Sequence, residues 1–108
     1  MKEYIIAITT CPEAESYKLA QILVDTKVCA CVNIIPSVKS VYNWKGDIIT
    51  DSEAILFIKT EARFEEMLKS VITKNHSYEL PEFIVLKIES GSKDYLEWIS
   101  ANLLMPSS

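Results

Sequence analysis

His76 is the single histidine of the chain, and Asn75, Tyr78, Glu79 and Glu82 stand close to it in sequence. A neutral imidazole beside carboxylates suits a divalent ion such as copper or zinc. A stiff metal site asks for three or four ligands, however, and a lone loop imidazole serves equally well to bond a backbone group or a neighbouring subunit. Cys29-x-Cys31 offers two soft thiolates for monovalent copper, set against the usual behaviour of buried free cysteines as small apolar side chains. Cys11 falls beside the start of a helix, where a thiol either becomes more acidic and reactive or simply packs. Tyr42, Trp44, Tyr78 and Trp98 are large aromatics off the simplest helix faces. They line a cleft for a small ligand, or they anchor an oligomer interface, where tyrosine and tryptophan supply much of the buried area. Lys59, Asp51, Glu53 and Glu82 make a charged set. A solvated hairpin face accounts for Asp51 and Glu53, whereas Lys59, directly after an apolar run, is harder to assign to solvent.

The element that must position most of these groups spans residues 28–60, two long extended runs meeting at Lys45-Gly46. Alternation places Val38, Ser40, Tyr42 and Trp44 on one face, and Asp47, Ile49, Asp51, Glu53, Ile55 and Phe57 share a face on the return. Each arm is longer than the usual strand of about 5 to 6 residues, so the far end projects into solvent or onto another molecule. Pro36 lacks an amide hydrogen, which predicts a kink there and places the outgoing arm at a sheet edge.

Residues 4–9 read as a first strand. The following TCPEAE has Pro12 and acidic residues early, with capping-box spacing between Thr10 and Glu13, and predicts a helix that ends near Lys27 and turns Leu19, Ala20, Ile22, Leu23 and Val24 inward. After the hairpin, Phe64, Met67, Leu68, Val71 and Ile72 recur at helical spacing. A turn-like loop at 75–78 leads through Pro81 to a fourth strand over 83–88, and a last helix over 93–103 shows Leu96, Ile99 and Leu103 on one side. Met105 to Ser108 read as a tail. The order β-α-β-β-α-β plus a C-terminal helix predicts an α+β, ferredoxin-like antiparallel sheet in one domain covering residues 1–108. The strands are apolar on both faces, and one leftover helix of about ten residues cannot cover a four-stranded sheet, so self-association of sheet against sheet is expected.

Composition narrows the function. A net charge of −4 and a pI near 5.0, without a Lys/Arg cluster, argue against nucleic acid as the partner. No apolar run approaches the roughly 18 residues of a membrane span, and the start carries no secretion signal. Three cysteines, an odd number, argue against a disulfide framework and fit a reducing cytoplasm. An acylphosphatase-type enzyme on this fold would carry a glycine- and arginine-bearing phosphate loop after the first strand; TTCPEAE has neither, so no enzymatic activity is expected.

With the elements placed, the chain resembles the CutA divalent-cation-tolerance family over nearly its whole length. The resemblance rests on ACVNIIP at 30–36, Tyr42-x-Trp44-x-Gly46, Asp51-x-Glu53, Lys59-Thr60, His76-x-Tyr78-x-x-Pro81-Glu82 and Tyr95-x-x-Trp98-Ile99. It implies a homotrimer assembled like the PII signalling proteins, with the long hairpin wrapping neighbours, and a link to copper and other divalent ions. Copper-binding members place a cysteine at the end of the first strand and a second histidine before the loop histidine. The matching positions here are Thr9 and Asn75, which leaves His76 with Glu79 or Glu82 and implies weak copper binding. A PII-like sensor holding a small molecule in clefts between subunits is the alternative.

Overall fold

The computed structural model describes residues 2–104. The stretch expected to be a tail, Met105 to Ser108, lies outside the described residues. The element order is β1 (Tyr4–Cys11), α1 (Glu13–Asp25), β2 (Cys31–Trp44), β3 (Asp47–Glu61), α2 (Glu65–Asn75), β4 (Ile84–Lys87) and α3 (Lys93–Ala101), with a short 3-10 turn, Ala62–Phe64, leading into α2. The four strands form one antiparallel sheet in the order β2-β3-β1-β4, the ferredoxin-like arrangement.

Strands β2 and β3 run 14 and 15 residues, and the molecule extends to 48 Å along its longest axis. Trp44 pairs with Asp47, so the hairpin closes in two residues; Lys45 at φ 52° and Gly46 at φ 91° are both left-handed, which is the turn whose twist matches that of the strands. As Pro36 foretold, β2 lies at the edge and its register breaks. Ile35 faces Ile55 and Val38 faces Glu53, so Pro36 and Ser37 together oppose Ala54 alone. The Glu13 carboxylate holds this bulge by accepting the Ser37 N–H at 2.7 Å. That contact replaces the expected capping box: Thr10 is a strand residue, and α1 starts behind Pro12 with no side-chain cap.

Alternation then sorts the two faces. Ala7, Ala54, Leu56 and Ile58 pack under Leu19, Ala20 and Leu23 of α1, Phe64, and Leu68 and Ile72 of α2. Val24, expected inward, is 41% exposed, because α1 meets the sheet along a narrower stripe. The opposite face carries Ile6 and Ile8 from β1, Ile55 and Phe57 from β3, and Ile84 and Leu86 from β4. Helix α3 reaches only one end of it. There the Ser100 and Tyr4 hydroxyls are bonded at 2.7 Å and the Lys59 ammonium lies 5.7 Å from the Tyr95 ring centre. Ile84 and Leu86 stay about half exposed, at 49% and 51%. Among the described residues no helix is long and apolar enough to cross a membrane.

Candidate functional site

The segment between α2 and β4 is fastened to the sheet by polar contacts that run across the chain. The His76 Nε2–H donates to the Thr10 carbonyl at 2.7 Å, and Nδ1 accepts the Tyr78 N–H at 3.0 Å, so the ring is neutral and both nitrogens are engaged. The Thr9 hydroxyl, fully buried, donates to the Glu82 carbonyl at 2.6 Å. Both ends of the loop are therefore tied to the C-terminal end of β1.

Between these anchors Tyr78 points back at the hairpin. Its hydroxyl donates to Glu53 Oε2 at 2.6 Å, while Tyr42 donates to the Asp51 carboxylate. The bulge at Pro36-Ser37 makes this convergence possible. Two residues set against one shift the side-chain alternation of β2 by one place, which brings Ser40, Tyr42 and Trp44 onto the face of Asp51 and Glu53. The result is a cleft of about 680 Å³ between the hairpin and the loop, walled by Tyr42, Trp44 and Tyr78 and edged by Glu53, Glu79 and Glu82.

The electrostatics of the cleft are one-signed. Burial and then the Glu53 charge push the Glu82 carboxyl above its ordinary value. Burial, the bond to Glu53 and its charge hold the Tyr78 hydroxyl far above the usual tyrosine range, so it stays a donor at neutral pH. The bond to Asp51 also raises the Tyr42 hydroxyl on the exposed hairpin, with smaller effects from burial and the charges of Asp51 and Glu53.

Of the candidates named from sequence, Tyr42, Trp44, Tyr78 and Glu82 come together. Lys59 and Trp98 lie elsewhere: Lys59 sits over Tyr95, and Trp98 stacks on the same ring with centres 5.7 Å apart. Glu53, read from sequence as part of a solvated face, is instead 5% exposed and central. Its place on the face of Ile55 and Phe57 was the available signal. Ser77 and Leu80 also line the cleft and carried no signal at all.

A resident metal ion does not fit the donors of one chain. Among the described residues no three of His, Cys, Asp and Glu approach closely enough to share an ion, and His76 has no free lone pair while its two hydrogen bonds last. The two positions beside the expected ligand set are structural as well, Thr9 through its bond to Glu82 and Asn75 through an amide bond to the Val71 carbonyl. The cysteines are free. Cys29 is buried just before β2 begins and its thiol is pushed up to about 12, mainly by burial and then by Cys31. Cys11 is pushed up to about 11 by burial and by the charges of Glu15 and Glu53, so it is not an activated thiol.

Comparison with known proteins agrees with the topology. A family model for the CutA1 divalent ion tolerance protein matches residues 5–102. The chloroplastic protein CutA of Arabidopsis thaliana is 45% identical over 96 residues, 88% of this chain; those residues span 53% of the plant protein, about half its length. The crystal structure of CutA1 from Oryza sativa superposes with a TM-score of 0.93 at 36% identity, covering 96% of each chain. The PII-like protein CutA from Nostoc sp. PCC 7120, in apo form, superposes with a TM-score of 0.87 at 34% identity, covering 96% of this chain and 98% of that one. With the family model matched over residues 5–102 and relatives of this identity and coverage, the chain belongs to the CutA1 divalent ion tolerance family.

Proposed function

We propose that the chain acts as a homotrimeric, non-enzymatic divalent-cation tolerance protein of the cytoplasm, with copper as the ion it meets most strongly. The observation that supports assembly is the sheet face bearing Ile6, Ile8, Ile55, Phe57, Ile84 and Leu86, which α3 covers at one end only. At roughly 25 cal/mol per Å2 of apolar surface, leaving such a face in water is costly, and a second sheet is the natural cover. Copper stands at the top of the divalent affinity order, and His76 is the best single nitrogen donor the chain has. Coordination there requires the ring to give up the Thr10 carbonyl or the Tyr78 amide, with Glu79 or Glu82 as the nearest carboxylates in sequence. Binding is therefore weak.

Calorimetric titration of the purified protein with Cu2+ tests this. The expected result is weak uptake that His76→Ala abolishes. Equally tight uptake by His76→Ala removes His76 from the assignment and moves attention to Cys31, the least buried of the three thiols. A second reading, small-molecule sensing, is favoured by the aromatic-walled cleft, which lies within one chain rather than needing a subunit boundary to exist.

A further inference from the structure

Resting on that second reading of the cleft as a ligand site, we propose that it binds a small organic cation, a primary ammonium on an apolar body, with the ammonium at Glu53 and the body between Tyr42, Trp44 and Tyr78. Three observations carry this. The first is charge: the lining holds three carboxylates, Glu53, Glu79 and Glu82, and no lysine or arginine. An anion is repelled there, and a neutral ligand leaves the carboxylates without a counter-charge. The second is the state of Glu53. This side chain is 5% exposed, yet its one side-chain bond among the described residues is the Tyr78 hydroxyl at Oε2. Glu53 lines the cleft, and its second oxygen, Oε1, has no hydrogen bond among the described residues, which leaves it for a donor from a ligand. A buried carboxylate with half its acceptor capacity unused gains most from a charged N–H group.

The third observation separates an organic cation from a metal ion. No three carboxylate, thiol or imidazole groups converge on one point, so the cleft lacks the coordination a bare ion needs. What it has instead is room, about 680 Å³, within the usual range of small-molecule pockets, and aromatic faces. Aromatic rings attract ammonium groups through their electron-rich faces while also packing against methylene groups. Trp44 shows this preference already, with the Lys45 ammonium 5.6 Å from its ring centre.

Hexylammonium, hexan-1-ol and hexanoate share one body and differ in charge, so they isolate the ligand class. Each is titrated against the intact assembled protein at neutral pH, followed by calorimetry and by ligand-observed NMR. Hexylammonium is expected to saturate at one site per chain, hexan-1-ol to bind at least about tenfold more weakly, and hexanoate not to bind. Glu53→Gln keeps the shape and should weaken hexylammonium by about tenfold or more; Glu82→Gln, with melting temperature as the folding check, serves if the first variant fails to fold. Glu66→Gln, on the exposed face of α2, should change nothing, which controls for general attraction to an acidic protein. If hexan-1-ol or hexanoate binds as well as hexylammonium, the ligand class is overturned while the cleft remains a ligand site. If none of the three binds at millimolar concentration, both ideas fall, and unchanged affinity in both Glu53→Gln and Glu82→Gln places the site elsewhere.

Discussion

At the scale of single residues, the tie between Tyr78 and Glu53 is the contact on which the cleft depends, because it joins the loop to the hairpin across 25 positions of sequence. Tyr78→Phe keeps the ring and removes the donor from a buried carboxylate. Hydrogen bonds to charged groups of this kind contribute about 1.5–3 kcal/mol, so urea denaturation should show a loss of that order. The pH dependence has a definite sign. Folding favours the neutral phenol, so the folded state keeps a proton that the unfolded chain sheds above about pH 10. Stability attributable to Tyr78 is therefore whole below that value and is lost as pH rises beyond it, and in Tyr78→Phe that part of the alkaline slope should disappear. An unchanged alkaline limb would mean that the hydroxyl is not held by Glu53 in solution.

At the scale of elements, the hairpin is organised by two local irregularities. The Pro36-Ser37 bulge sets which way the distal side chains point, and the Lys45-Gly46 turn sets the register beyond it. Trp44 sits next to that turn and is 41% exposed in the single chain, which is unusual for a residue carrying so much apolar area. Trp44→Ala should weaken assembly by on the order of 2–4 kcal/mol per site if the ring anchors a neighbour. Sedimentation equilibrium across a dilution series measures this directly. Undiminished assembly would assign Trp44 wholly to the cleft, where its loss would instead appear in ligand affinity.

At the scale of the whole molecule, one sheet face is covered by two helices and the other meets α3 at one end only, near Tyr4 and Lys59. A homotrimer is expected from light scattering coupled to gel filtration at micromolar concentration. Assembly stabilises by mass action, so the melting temperature should be high and should climb with protein concentration. A monomer mass, or a melting temperature indifferent to dilution, would remove the sheet-on-sheet packing.

Much of this architecture was legible in the order of residues because it follows from local chemistry. Proline without an amide hydrogen forces the bulge, glycine after Lys45 permits the left-handed turn, and helical spacing of Phe64, Leu68 and Ile72 selects the buried stripe of α2. Apolar residues at both parities in 5–8, 28–32 and 83–86 led to the expectation of a partner on the second sheet face, where Ile84 and Leu86 stay about half exposed in the single chain. The site was only half legible. Tyr42, Trp44, Tyr78 and Glu82 could be named as aromatics and acids, but Glu53 looked solvated, and nothing local separated the cleft from Lys59 and Trp98. The pairing of His76 with the Thr10 carbonyl, of Thr9 with the Glu82 carbonyl and of Tyr78 with Glu53 joins positions 66, 73 and 25 residues apart. Such contacts are decided when the chain closes its sheet: the side chains state which bonds are chemically allowed, and only the packed topology brings particular donors within reach of particular acceptors.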